Sequence, residues 1–214
     1  MQMLDSPHLG SPADLLAALF VLGLVPVLAV CVTSFTRIIV VLGLLRASLG
    51  TAALPPNSVL VALAVMLTGA IMAPTLGAIE RDAISPYEGH QLSASQALVR
   101  AEAPLSTFMR KQARRSDVIA FARIARVKAA NENGVPFFVL APAFVVGELR
   151  TAFAMGFALA LPFAVIDIVV GAILMSLGMF MVSPATISLP LKLLLFVAVD
   201  GWTLVAGALA ASYH

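Results

Sequence analysis

The sequence has few charged residues for its length. Of its 214 residues, 11% are charged and 61% are hydrophobic, and the mean hydropathy is +1.02. Soluble domains have about 25% charged and roughly 45–50% apolar residues. A soluble core could not bury so much apolar side chain, so lipid or partner proteins must cover the remainder. The net charge of +2 is too small to indicate a nucleic-acid partner.

Residues that would bind metal or carry catalysis are also scarce. The single cysteine, Cys31, excludes an internal disulfide, and the three histidines are too scattered to form a metal site. The sequence has neither a phosphate-binding glycine loop nor a G-x-S-x-G turn. Asp167 and Asp200 could form a pair for intramembrane aspartyl proteolysis. Asp200 lacks the Gly-x-Gly-Asp setting of such proteases, however. We therefore expect no enzyme, no cofactor and no metal.

Long apolar blocks dominate the chain, at residues 15–45, 58–79, 135–182 and 185–211. Each reaches the roughly 20 residues that a helix needs to cross a bilayer. The pattern predicts an all-α, polytopic membrane protein built of helical hairpins, with helices broken by proline. The third block exceeds twice the spanning length, which predicts a hairpin inside it. Because no basic residue precedes the first block, we expect residues 15–32 to be retained rather than cleaved as a signal peptide.

Six ionisable residues interrupt these blocks: Arg37, Glu148, Arg150, Asp167, Lys192 and Asp200. Such groups are rare at membrane depth unless they are paired or face water. They favour a chain packed against other protein in an oligomer over a monomeric bundle of kinked helices. Acids on broken helices are also typical of transporters, so a proton-coupled secondary transporter is the alternative function.

A polar insert separates two hydrophobic regions. Residues 80–136 hold nine of the 13 Lys/Arg and six of the 11 Asp/Glu. This predicts N-terminal hydrophobic helices in 1–79, the insert in 80–136, and C-terminal hydrophobic hairpins in 137–214. Arg37 and Arg46 place the loop after the first block in the cytoplasm by the positive-inside rule, which puts the insert outside. The insert's own basic residues argue the reverse, and the sequence alone leaves this conflict open.

The insert is predicted to contain two or three amphipathic helices. Ser93 with Gln96 fits a capping box at the first. Pro104 fits the first turn of a second. Ser116 or Asp117 would cap a third. Apolar residues recur at helical spacing in the last two helices: Leu105, Phe108 and Met109, then Val118, Phe121, Ala122 and Ala125.

Seven stretches in order along the chain resemble the FliP/SctR family, the membrane subunits of flagellar and type III secretion export gates. They are TSFTRIIVVLGLLRASLG (33–50), PPN (55–57), MAP (72–74), PAFVVGELRTAF (142–153), LPFAVIDIVV (161–170), LGMFMVSP (177–184) and ISLPLKLLLFVAVDGW (187–202). The insert, with PYEGHQLSASQAL and APLSTFMRKQ, is more similar to the flagellar branch than to the injectisome branch.

The resemblance implies a function, a location and partners. The expected function is a pore-forming subunit that passes unfolded export substrates across the bacterial inner membrane, within the flagellar basal body. Several copies of the chain, five being expected, would surround the pore. FliQ-like and FliR-like subunits would complete the gate, with an FlhB-like subunit at its base and membrane lipid around it. The insert would lie on the non-cytoplasmic side.

The resemblance also implies site residues. Family members close the pore with a Gly-Met-Met-Met stretch, which here reads Gly178, Met179, Phe180 and Met181, within a pore-facing region at 178–184. Methionine side chains are flexible and can seal around an empty axis, then yield to a polypeptide. Without the resemblance, these residues would be the core of a hairpin tip.

Further residues are implied in assembly. Glu148 corresponds to a family acid needed for assembly, and Phe108 and Phe121 to aromatic assembly contacts in the insert. Arg37, Asp167, Lys192 and Asp200 are candidates for structural ion pairs, although the sequence does not assign their partners.

Overall fold

The computed structural model describes residues 29–51, 54–127 and 135–213, together with Leu16, Leu19, Gly23 and Pro26. These described residues form helices and turns and no strand, which confirms the all-α prediction. Most of residues 15–32, on which the retained-segment prediction depends, lie outside them. The helices are α1 (Phe35–Leu49), α2 (Asn57–Ile79), α3 (Ser85–Glu88), α4 (Ala94–Gln112), α5 (Arg115–Ile124), α6 (Phe137–Ser176), α7 (Pro184–Ala198) and α8 (Gly201–Ala211).

Helix α1 lies at the centre of the main hydrophobic core. Its buried side chains follow helical spacing and pack against residues of α2, α6, α7 and α8. Gly156 of α6 allows a close approach to α1, because a Cβ built there would lie 2.3 Å from the Leu44 Cδ1 atom of α1. The buried core residues of α1 are Ile38, Val41, Leu42, Leu45 and Leu49.

Helix α2 continues beyond the apolar block that predicted it. A turn of π-helix, Glu80–Ile84, joins α2 to α3, so that Asn57–Glu88 runs as one helical segment of 32 residues. The helix therefore crosses the boundary drawn at residue 79 between the hydrophobic region and the polar insert.

Helix α6 corrects the prediction of a hairpin within the third apolar block. The block is a single helix of 40 residues that continues through Pro142 and Pro162, about 60 Å long and thus twice the thickness of a bilayer's hydrocarbon core. The charged residues of the block do not interrupt the helix, because each is paired with a residue of another element, as described below. The hairpin that does form joins α6 to α7.

Helices α7 and α8 form a broken segment, bent by 64° between Ala198 and Gly201. Asp200 lies at the bend with a left-handed φ of 49°. By length and composition, two of the described helices could cross a membrane, or three if this bent pair counts as one span.

The insert differs in detail from its sequence prediction. Ser93 and Gln96 form the predicted capping box, but Pro104 lies inside α4 rather than starting a second helix. The apolar residues that follow this proline in α4, Leu105, Phe108 and Met109, pack against α6, and this packing offsets the proline's cost of about 3 kcal/mol. Helix α5 begins after Arg114 without a side-chain cap, so the capping role predicted for Ser116 or Asp117 is wrong. Asp117 instead binds Arg150.

A second hydrophobic cluster joins the insert to the first half of α6. Met109 of α4 and Ala122 of α5 pack with Val139, Leu140 and Phe144. The predicted apolar faces of both helices contribute to it, except for Ala125, which is exposed. The insert is therefore packed onto a candidate spanning helix and does not form a separate body.

Candidate functional site

A buried charge cluster connects α1, α6 and the residues that follow α8. Arg37 is 3% exposed and Glu148 is 1% exposed. The Arg37 Nε atom donates to the Glu148 Oε2 atom at 2.9 Å, and its Nη2 atom donates to Oε1. The Tyr213 hydroxyl donates to the same carboxylate and contacts the Ser34 carbonyl oxygen at 3.2 Å. Both oxygens of Glu148 are thus satisfied within one chain.

Residues 212 and 213 complete this cluster. Arg37 Nη1 donates to the Ser212 carbonyl and hydroxyl oxygens at 2.9 and 2.8 Å. Its guanidinium carbon lies 3.8 Å from the Tyr213 ring centroid, a cation–π contact. Burial raises the pKa of Tyr213, so the phenol remains a neutral donor. The cluster therefore holds the chain beyond α8 against α1 and α6.

The two aromatic residues implied in assembly lie in the second hydrophobic cluster. Phe108 stacks on Tyr213 at 6.0 Å between ring centroids and meets Phe144 edge-on at 5.8 Å. Phe121 is half-buried in the same cluster. Both residues thus have contacts within the chain, and Phe108 connects the insert to the buried charge cluster.

A second ion pair crosses the α6–α7 hairpin. Lys192 Nζ donates to Asp167 Oδ2 at 2.6 Å and to the Ser48 carbonyl oxygen at 3.1 Å. The lysine side chain is 6% exposed, whereas the aspartate is 47% exposed. Ser48 lies near the end of α1, where helix carbonyl groups attract cations. This ion pair therefore fixes α6, α7 and α1 relative to one another.

A third ion pair joins the insert to α6. The Arg150 guanidinium binds Asp117 with two parallel hydrogen bonds, at 2.9 and 3.1 Å. Such bidentate pairs specify geometry as well as adding energy. The sequence had marked Arg150 only as an interruption of an apolar block and Asp117 only as a possible cap.

The loop between α6 and α7, residues 177–183, is here named the tip loop. Gly178 has a φ of 74°, which favours glycine and turns the chain out of α6. The three residues that follow are exposed to rising degrees: Met179 by 42%, Phe180 by 81% and Met181 by 100%. The alternative that they form the core of a hairpin tip would require them to be buried within the chain. The loop instead leaves Met179 partly exposed and presents Phe180 and Met181 almost uncovered by the described residues.

Asp200 differs from the other ionisable residues singled out from the sequence. It is exposed at the α7–α8 bend, and its carboxylate makes no ion pair with any residue that the structure describes. No described contact joins it to Asp167, the other member of the catalytic pair considered from the sequence. The structure thus brings together Arg37 with Glu148 and Asp167 with Lys192, and leaves Asp200 apart.

Sequence reasoning missed Tyr213 and Ser212 as members of the buried cluster. The available signal was a tyrosine directly after a long apolar block, one of only two tyrosines in the chain. A tyrosine so placed needs a hydrogen-bond partner when buried. The partner could not be deduced, because 65 residues separate it from Glu148.

The fold and these contacts define a class: an all-helical protein whose apolar helices are long enough to cross a bilayer and carry internally paired charges. The model of the FliP family matches residues 18–209. The chain therefore belongs to the FliP family, as the sequence motifs predicted.

Similar proteins cover most of the chain. The "Flagellar biosynthetic protein FliP" of Cereibacter sphaeroides is 48% identical over 201 residues, which is 94% of this chain and 67% of that protein. The protein of the same description from Bacillus subtilis is 42% identical over 210 residues, 98% of this chain and 95% of that protein. The one from Buchnera aphidicola subsp. Acyrthosiphon pisum is 44% identical over 204 residues, 95% of this chain. The chain spans 54% of that last relative.

Proposed function

We propose that the chain is the pore-forming subunit of a flagellar type III protein export gate, through which unfolded export substrates cross the bacterial inner membrane. The observation that carries the proposal is the tip loop, with Phe180 and Met181 at 81% and 100% exposure. Exposed apolar side chains at a turn between two apolar helices need a partner surface. Copies arranged around an axis would supply it by bringing their tip loops together.

The chemistry of the tip loop suits a seal that opens. An apolar constriction sheds water and so resists ions. Met179 and Met181 have flexible thioether chains, which adapt to varied contacts. Phe180 is stiffer and would fill more of the space around the pore axis. A passing polypeptide would displace these side chains without breaking any hydrogen bond.

The proposed assembly has several copies of the chain, with five expected. FliQ-like and FliR-like subunits complete it, and an FlhB-like subunit lies at its base. The proposed location is multi-pass in the inner membrane, in the flagellar basal body. The similarity of the chain to flagellar biosynthetic proteins supports this placement. The exposed apolar side chains of α2, α6 and α7 supply surface for lipid and for neighbouring subunits.

The test is a triple substitution, Met179, Phe180 and Met181 to alanine. It shortens all three side chains and widens the proposed constriction. We expect the complex to assemble with unchanged particle mass, while cells that overproduce it leak ions and grow slowly. The matched control replaces Leu98, Val99 and Ile124 with alanine, since these are 74%, 68% and 74% exposed but lie in the insert. Assembled triple-alanine complexes that remain ion-tight would show that the loop packs rather than seals.

A further inference from the structure

Asp200 is the exception among the acids of the hydrophobic C-terminal region. Of the three acids in residues 137–213, Glu148 is bound to Arg37 and Asp167 to Lys192. Asp200 alone forms no ion pair with a described residue. An ionised carboxylate in apolar surroundings is costly unless a cation or water neutralises it.

The surroundings of Asp200 are exposed and apolar. Leu194 and Val197 precede it at intervals of three along α7 and are 67% and 75% exposed, so they line one helix face. Beyond the bend, Leu204 is 54% exposed on α8. These residues and Asp200 are here named the bend surface. It consists of exposed apolar side chains on both sides of the bend, together with one carboxylate.

The backbone at Asp200 constrains where the carboxylate lies. Its φ of 49° is uncommon for a residue with a side chain. Gly201 follows so closely against Phe196 that an added Cβ would lie 2.2 Å from the Phe196 Cε2 atom. The bend is therefore closely packed on its inner side at Gly201, while Asp200 itself is exposed.

We infer that the bend surface docks an apolar helix of a different polypeptide that carries one lysine or arginine, which pairs with Asp200. Charge complementarity selects a basic side chain. The need to cover Leu194 and Val197 selects an apolar helix to present it. This inference rests on the proposed role of the chain in a membrane complex, and it adds the surface and the chemistry of one contact.

A second copy of this chain fits less well as the partner. The basic side chains on α1, α2, α6, α7 and α8 already have partners inside the chain. Arg37 binds Glu148, Arg150 binds Asp117 and Lys192 binds Asp167. Arg46 donates to the Asn57 side chain. A neighbouring copy could offer a basic side chain from these helices only by breaking one of these contacts, whereas a different polypeptide has no such cost.

The first test identifies what touches the bend surface. A photo-crosslinking amino acid is placed at Leu194 or Val197 in the full chain, expressed in its own cells, and crosslinked peptides are sequenced. We expect a peptide from another membrane polypeptide, within an apolar helix and less than one turn from a lysine or arginine. The same label at Val65 of α2, which is 56% exposed, controls for random capture. A crosslink to a second copy, to lipid alone, or to a helix without a basic residue would overturn the inference.

The second test probes the charge. Asp200→Asn keeps the shape of the side chain and tolerates positive φ, so the variant should fold. We expect roughly a tenfold or greater loss of the crosslinked polypeptide from the purified complex, with the mass of the homo-oligomer unchanged. Asp200→Lys combined with the partner's basic residue changed to aspartate should restore it. Full recovery of the polypeptide with Asp200→Asn would overturn the pairing. Failure of the proposed function would show differently, as an ion-tight triple-alanine tip loop.

Discussion

Replacing Glu148 with alanine removes the carboxylate that accepts hydrogen bonds from Arg37 and Tyr213. Arg37 would stay buried, keep its contacts with Ser212 and lose its counter-charge. Breaking one side of a buried ion pair costs about 3–5 kcal/mol. This is a large part of the roughly 5–15 kcal/mol that stabilises a folded domain. We therefore expect Glu148→Ala to weaken the subunit, and with it oligomer formation and export.

The double variant Arg37→Met with Glu148→Leu separates charge from packing. It leaves no uncompensated ion, and replacing a buried pair with apolar residues of similar volume is often neutral or stabilising. The Tyr213 hydroxyl would keep the Ser34 carbonyl oxygen as its acceptor. The double variant should therefore be more stable than Glu148→Ala, although it carries one more substitution.

Thermal unfolding of the detergent-purified protein measures both effects. For a chain of this size, 1 kcal/mol shifts Tm by about 2–4 °C, so Glu148→Ala should lower it by roughly 6–20 °C. Glu88→Ala is the control, because Glu88 is exposed and such substitutions usually stay within about 0.5 kcal/mol. Particle mass reports oligomer formation in the same samples. Equal and mild effects of Glu148→Ala and Glu88→Ala, or a double variant less stable than Glu148→Ala, would refute the reasoning.

Three further predictions follow from the other contacts. Asp167→Asn should lower Tm more than Lys192→Met does. The first substitution leaves a buried cation without its partner, whereas the second leaves a half-exposed carboxylate. Equal shifts in Tm would contradict this. Gly156→Ala should destabilise the protein by about 1–3 kcal/mol through overpacking, since its Cβ would clash with α1. Gly171→Ala in the same helix meets nothing within 4 Å and should stabilise the protein by up to about 1 kcal/mol. The Tm values of the two variants give the comparison. Burial raises the pKa of Tyr213. The stability of the protein should therefore be unaffected below the unfolded-state pKa of about 10 and should fall as pH rises above it. Tm measured across alkaline pH should fall less in Tyr213→Phe than in the unchanged protein.

Element type was predictable where the signal was local. Apolar blocks gave helices at α2, α6, α7 and α8, and the capping box at Ser93 begins α4. Continuity was not predictable, because it depends on distant contacts. Pro104 in α4 and Pro142 and Pro162 in α6 read as breaks, yet both helices continue through them. Residues next to Pro104 and Pro142 pack in the second hydrophobic cluster. Local propensity is a weak prior that tertiary contacts override.

The ion pairs show the same limit. The sequence identifies which charges lie in apolar blocks, since this needs only the positions of the charged residues along the chain. It does not assign their partners, because Arg37 and Glu148 are 111 residues apart and Arg150 reaches back 33 residues to Asp117. The family motifs supplied the tip loop and Glu148, whereas Tyr213 emerged only from three-dimensional proximity.

The distribution of charge has a consequence for how such a subunit recognises its neighbours. Apolar contacts inside a bilayer discriminate poorly between protein and lipid, because lipid tails are as apolar as leucine. A subunit whose charges were all satisfied internally would therefore have little to orient a partner helix. One uncompensated carboxylate on an apolar surface changes this, since a helix with a basic residue at the matching height removes its cost and a purely apolar helix does not. On our proposals, Asp200 supplies specificity at the periphery, while Met179, Phe180 and Met181 need none, because the seal they form must part for many different substrates.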